Sequence, residues 1–292
     1  MSKLIKNIFV GSSINLNLED SDFAILGVPF EKTVFYRKGC RFGPKKIREV
    51  SQQMPMLTEN GINLLEKNIV DLGDIKANSV KEMIKRVEDK LKEIYSLNIT
   101  PVLIGGEHLI TYPAVKAYPK DLCLICFDAH PDLFDNFKGE KYSHATVMRR
   151  ILEEKIRSKN LIYIGLRSFE QEEREFMEKH KILFLDMDIL KQKELVEEFL
   201  SEFKNKPVYV SIDIDVLDPA FAPGTGIPDP GGLSTRELLD LLSLVAKLKV
   251  IGFDLVEVSP PLDKSDITSF AAAKIIIEFM GKLKKMNFYN TY

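Results

Sequence analysis

Short apolar, β-branched runs alternate along this chain with longer segments in which apolar residues recur every three or four positions. The runs "FAILGV" (23–28), "NIVDLG" (68–73), "ITPVLIGG" (99–106), "DLCLICFDAH" (121–130), "LIYIGLR" (161–167), "KILFLD" (181–186), "PVYVSIDID" (207–215) and "KVIGFDLVEV" (249–258) predict strands. Helical spacing predicts a helix over 79–97, with Val80, Ile84, Val87, Leu91 and Ile94 on its apolar side. Further helices are predicted within 144–158, 167–180, 234–248 and 267–283. Such alternation reads as βαβ units, hence an α/β fold with a mainly parallel sheet and helices on both faces. Ligands of open sheets of this kind bind beyond the carboxyl ends of the strands.

Composition narrows the possibilities. The chain has 292 residues, 45% of them apolar, and nothing marks a boundary, so 1–292 is read as a single domain. Charged residues make up 29% and nearly cancel, at a formal net charge of -2. Nucleic acid and anionic membrane surfaces demand a basic excess, so neither is expected as a partner. No apolar run approaches a membrane span, and "MSKLIKNIFVGSS" lacks the apolar core of a signal peptide. Three cysteines do not suggest a disulfide framework, which points to the cytoplasm.

The chemistry gathers at four strand ends. "VLIGGEH" delivers His108, "CFDAHPD" carries Asp128, His130 and Asp132, "SIDIDVLDP" carries Asp213, Asp215 and Asp218, and "VEVSPP" carries Glu257. In a strand, residues i and i+2 point to one side, roughly 6.6–6.8 Å apart. On that basis Asp128 and His130 face one way, as do Asp213 and Asp215, and Pro131 ends the strand. Four carboxylates converging with two imidazoles cannot all stay ionised unaided, and two divalent cations would neutralise them. A donor set rich in oxygen, with two nitrogens and no thiolate, suits manganese. Two such ions lower the pKa of a water held between them, which makes hydroxide available and points to hydrolysis. The chain has four histidines, three of them (His108, His130 and His144) in or just after these segments. His180 reads as a helix-end cation. Cys123 and Cys126, at odd spacing within one strand, read as core residues on opposite faces.

The ordered set "GGEH", "DAHPD", "SIDIDVLDP" and "EVSPP" resembles the ureohydrolases, the family of arginase and agmatinase. "GVPFEKTVFYRKGCRFGPKKIR", "GEKYSHATVMRRI", "APGTGIPDPGGLSTREL" and "EVSPPLDKSDIT" look specifically like the agmatinase branch. The resemblance implies a three-layer α/β/α sandwich around an eight-stranded, mostly parallel sheet, assembled as a homotrimer or homohexamer. It implies two Mn²⁺ per subunit, one held by His108, Asp128, Asp132 and Asp213, the other by Asp128, His130, Asp213 and Asp215. Asp128 and Asp213 would bridge, His144 would relay protons to the leaving amine, and Glu257 would pair with a substrate guanidinium. Asp218 would shape a turn.

A single-zinc deacylase, similar in fold, would need fewer ligands. A non-catalytic relative would lack some ligands, His144 or Glu257, and all are present. The chain departs from the family pattern at Glu107 and Leu109, where aspartate and serine are common, and at Ile227, where threonine is frequent. Arginases place an asparagine for the substrate α-carboxylate where this chain has Phe134, which offers no donor. The expected substrate is therefore a small cationic guanidine without that carboxylate, agmatine first, cleaved to putrescine and urea; arginine, guanidinobutyrate and N1-aminopropylagmatine are the alternative guanidines.

Overall fold

A computed structural model describes residues 8–119 and 121–285. All eight predicted strands form, β1 at its predicted bounds, β2 shifted by one residue and the rest trimmed: β1 Phe23–Val28, β2 Ile69–Asp74, β3 Thr100–Gly105, β4 Cys123–Phe127, β5 Leu161–Ile164, β6 Leu183–Leu185, β7 Pro207–Asp213 and β8 Lys249–Val256. They make one sheet in the order β2-β1-β3-β8-β7-β4-β5-β6, and every pairing is parallel. Strands β1, β3 and β4 are buried along their whole length, which is why they read as unbroken apolar runs rather than alternating ones.

Among the described residues eight α-helices cover the sheet: α1 Gly43–Ser51, α2 Val80–Ser96, α3 Thr111–Lys116, α4 Val147–Glu154, α5 Gln171–His180, α6 Lys193–Ser201, α7 Thr235–Val245 and α8 Ile267–Lys282. One core packs α1, α6, α7 and α8 against one face, and a second packs α2 to α5 against the other. This is the expected three-layer α/β/α sandwich. Cys123 belongs to the first core and Cys126 to the second, as their odd spacing predicts. The buried stripe of α2 is Met83, Val87, Leu91 and Ile94, with Val80 and Ile84 at its margin. Ser79 caps α2 by accepting from the Glu82 amide, and Ser234 with Glu237 forms a capping box on α7.

Helices α1, α3 and α6 have no counterpart among the predicted elements. Helix α3 has six residues with Pro113 inside it, and α6 buries only Val196 and Leu200. Segments so short show too few apolar repeats to stand out. Residues 1–7, most of the stretch read as lacking a signal peptide, lie outside the described residues, as do 120 and 286–292 of the predicted domain. Among the described residues no helix is long and apolar enough to cross a membrane. The four strands expected to carry the chemistry, β3, β8, β7 and β4, are consecutive at the centre of the sheet, so their carboxyl ends open onto one place.

Candidate metal centre and active site

The structure brings His108, Asp128, His130, Asp132, Asp213 and Asp215 into one cluster at those strand ends, by a route that differs from strand alternation. Strand β4 stops at Phe127, before Asp128, and Asp128 Oδ1 accepts from the His130 amide at 2.7 Å. Strand β7 stops at Asp213, whose Oδ1 accepts from the Asp215 amide at 3.0 Å and opens the 3₁₀ turn Ile214–Val216. An aspartate that captures a backbone N–H two residues on offers the chain an alternative to the ladder. These turns, rather than the pleat or Pro131, end the strands and fold each pair inward. Asp132 follows in the left-handed region, at φ 51°, and its carboxylate returns to the cluster.

Three carboxylate oxygens surround Nδ1 of His108: Asp132 Oδ2 at 2.9 Å, Asp128 Oδ2 at 3.1 Å and Asp213 Oδ2 at 3.5 Å. Nδ1 nonetheless makes no well-formed hydrogen bond. The other ring nitrogen is committed. Strand register sets Ser211 beside Asp254, and the Ser211 hydroxyl donates to Asp254 Oδ1 at 2.7 Å. Thr111 Oγ1 donates to Asp254 Oδ2 at 3.0 Å. With its hydrogen so used, Ser211 Oγ is left to accept from His108 Nε2 at 3.0 Å. This network commits Nε2–H to Ser211 and leaves Nδ1 facing the carboxylates. Burial would lower this imidazole, but Asp128 and Asp132 outweigh it and hold it well above its usual range, so a proton stands at Nδ1 where a cation would bind. A ring nitrogen that faces three carboxylate oxygens offers the donor set of a metal site. Across the cluster, His130 Nδ1 lies 3.0 Å from Asp215 Oδ2 and 3.8 Å from Asp128 Oδ1. Among the described residues, Asp128 alone has oxygens within 4 Å of a nitrogen of both imidazoles.

Electrostatics agree with that fit. Burial, then the charges of Asp215 and Asp128, raises the Asp213 carboxyl well above its usual range. Burial raises Asp132 to about 7. Burial would lower His130, but Asp215, Asp128 and Asp132 outweigh it and push the imidazole up to about 10. Without a metal the site therefore stores protons among its carboxylates. A divalent cation has to displace the His130 proton, so its affinity should rise with pH up to about 10, and Mn²⁺ should release protons near neutrality. Calorimetric titration of metal-free protein in two buffers of different ionisation heat measures this; identical heats would contradict it.

Several members of the site were invisible in the sequence. Asp254, Ser211 and Thr111 sit inside apolar segments and declare themselves only through register. Arg167 donates to the carbonyls of Asp215 at 2.6 Å and Asp229 at 2.7 Å, clamping the turn that carries Asp215. Cys126 Sγ lies 3.9 Å from Asp128 Oδ2, beneath the cluster, where burial pushes its thiol up, and it lies close enough to His108 and Asp128 to share a metal ion with them.

The cluster opens into a cleft of about 240 Å³ whose walls include His144, Glu257, Phe35, Phe137 and Ile227. Glu257 is held at φ 63° and Oε1 accepts from the His108 amide at 2.7 Å. A strained backbone here is typical of a side chain aimed by its surroundings. Burial and the charge of Glu107 raise its carboxyl to about 8. Burial lowers His144 to about 4, so its imidazole is neutral near pH 7. Its Nδ1 has no partner, and the rings of Phe137 and Phe35 lie 5.7 and 6.4 Å away. Phe134 stacks on Phe137 at 5.4 Å, and Ile227 is half exposed at the rim. Leu109 is buried in the core below.

Asp218 does shape a turn, accepting from the amides of Ala220 at 2.9 Å and Gly231 at 2.7 Å, away from the cleft. His180 ends α5 with its ring against Phe176.

The model of the Arginase family matches residues 21–281. The agmatinase of Bacillus subtilis (strain 168) is 39% identical over 274 residues, covering 90% of this chain and 92% of that protein. The crystal structure of agmatine ureohydrolase from Thermoplasma volcanium superposes with a TM-score of 0.87 at 33% identity, over 98% of this chain and 97% of the other. Proclavaminate amidino hydrolase from Streptomyces clavuligerus superposes at 0.85 and 32% identity, over 97% and 99%. A match over nearly the whole chain, on the fold that builds this cluster, makes this protein a member of the arginase family, hydrolases of C–N bonds in linear amidines.

Proposed function

We propose that this chain is a dinuclear-manganese ureohydrolase whose substrate is agmatine, cleaved to urea and putrescine. The observation that carries the metal reading is Nδ1 of His108, turned toward three carboxylate oxygens within 3.5 Å by the Ser211–Asp254 pair. His108, Asp128, Asp132 and Asp213 would hold one ion, and Asp128, His130, Asp213 and Asp215 the other. When bound, the ions supply the Lewis acidity that makes water a nucleophile near neutral pH. Glu257 would receive the guanidinium through paired hydrogen bonds and orient its central carbon toward the cluster. A neutral His144, with Nδ1 unengaged, would take a proton from the attacking water and pass it to the leaving amine. Phe35 and Phe137 flank that imidazole. Assembly as a homotrimer or homohexamer belongs to the same reading, and light scattering on the purified protein checks it.

The substrate assignment rests on Phe134, which can bind no α-carboxylate, and on the aromatic walls of the cleft. One observation favours a second guanidine. Lys138 lies on the same rim with Nζ 5.1 Å from the Phe35 ring centre and 5.6 Å from that of Phe137, suited to the distal carboxylate of guanidinobutyrate. Urea release from agmatine, arginine and guanidinobutyrate with added Mn²⁺ separates these cases. Agmatine is expected to give the highest kcat/KM; a preference for arginine would overturn the Phe134 argument.

A further inference from the structure

The loop that leaves β3 is tied to the cleft wall opposite it. Gly106 has its Cα against the Phe30 backbone, where a Cβ would come within 2.0 Å of the Phe30 carbonyl oxygen. The Glu107 amide donates to that carbonyl at 2.8 Å. The Glu107 carboxylate, fully buried, then closes on the same segment: Oε2 accepts from the Thr33 amide at 2.9 Å and Oε1 from the Thr33 hydroxyl at 2.8 Å. With its hydrogen given to Glu107, Thr33 Oγ1 can only accept, and it accepts from the His144 amide at 3.1 Å. That amide heads the 3₁₀ turn His144–Thr146 ahead of α4, one of the N–H groups that a helix start leaves without an internal partner. The neighbouring Ser143 amide is already served by Thr146 Oγ1 at 2.9 Å. The His144 ring itself makes no hydrogen bond through Nδ1, so its placement depends on this backbone anchor and on the flanking phenylalanines.

We infer that Thr33, locked by Glu107, is a positioning residue that sets where the His144 imidazole stands over the cluster. The inference rests on the proton-carrying role proposed above for His144. It also gives Glu107 a task at a position where its extra methylene, relative to aspartate, lets it reach Thr33. One carboxylate thereby couples the residue preceding His108 to the amide of His144, so the metal side and the proton side of the cleft are held in one register.

The test compares Thr33→Val, Thr33→Ser and Glu107→Gln in the full-length, Mn²⁺-loaded protein. Thr33→Val is expected to lower kcat about tenfold or more with KM and metal content little changed, because the guanidinium and metal contacts stay in place. Thr33→Ser, which keeps the hydroxyl, should retain most of the activity. Hydrogen–deuterium exchange of the segment around His144 supplies a readout independent of turnover. Exchange should quicken in Thr33→Val, stay slow in Thr33→Ser, and quicken less in Glu107→Gln, where the hydroxyl keeps an acceptor. If Thr33→Val does not fold, the serine and glutamine variants still decide. Unchanged exchange in Glu107→Gln, or a kcat in Thr33→Ser reduced by about tenfold or more, would overturn the inference. Wild-type protein that releases no urea yet shows these exchange changes would sink the proposed reaction while leaving the anchor standing.

Discussion

Asp128→Asn is expected to reduce urea release by a factor on the order of 10³ or more, the several kcal/mol of a lost Lewis-acid site. Asp128 is the one carboxylate within reach of both imidazoles, with Oδ2 3.1 Å from His108 Nδ1 and Oδ1 3.8 Å from His130 Nδ1. Asparagine keeps the shape and can still accept from the His130 amide, so the turn after β4 survives. What it loses is the charge shared by two cations, and bound metal should drop below two ions per chain. The fold should not suffer. Burial and the charge of Asp215 raise the Asp128 carboxyl, so removing its charge relieves a buried repulsion in the metal-free protein. Thermal unfolding of the stripped variant at or above the wild-type temperature, together with lost activity, is the expected pair of results. Wild-type activity in Asp128→Asn would refute the dinuclear reading.

Glu257→Gln is expected to leave two metals bound and to lower kcat/KM by about 2–5 kcal/mol, tens- to several-thousand-fold, the cost of leaving a buried cation without its partner. Glutamine retains an acceptor for the His108 amide, now 2.7 Å from Oε1, so the loop after β3 keeps its anchor. Removed are one acceptor facing the guanidinium and the negative charge, which a carboxyl raised to about 8 in the free site takes on as the cation binds. The loss should appear for every guanidine substrate, whatever its tail, because it acts at the reacting end. An unchanged kcat/KM in steady-state assays would move the guanidinium away from Glu257.

The eight strands and most of the long helices were legible because buried parallel strands and amphipathic helices leave periodic apolar patterns. His108, Asp128, His130, Asp132, Asp213, Asp215 and Glu257 stood out because charge and imidazole at or just past the end of an apolar strand are costly without a counterion, whereas His144, in a loop, was singled out by family resemblance. The route by which the acids converge was not. Strand alternation assumed that β4 and β7 ran on through Asp128–His130 and Asp213–Asp215, whereas each first aspartate binds the amide two residues on and turns the chain. The supporting layer was hidden for a related reason. Asp254 inside "KVIGFDLVEV" and Ser211 inside "PVYVSIDID" become partners only when the register of β7 on β8 is known, and one sequence does not contain it. Thr33 was equally silent, since its meaning depends on a loop more than seventy residues away.

Metal-stripped protein, reloaded with Mn²⁺ and given agmatine, is the most direct test. Stripped protein should give no product, and urea and putrescine should form in equal amounts once two ions are bound per chain. A chain that binds two Mn²⁺ and releases urea from no guanidine compound, or one that releases urea equally well after chelation, would contradict it.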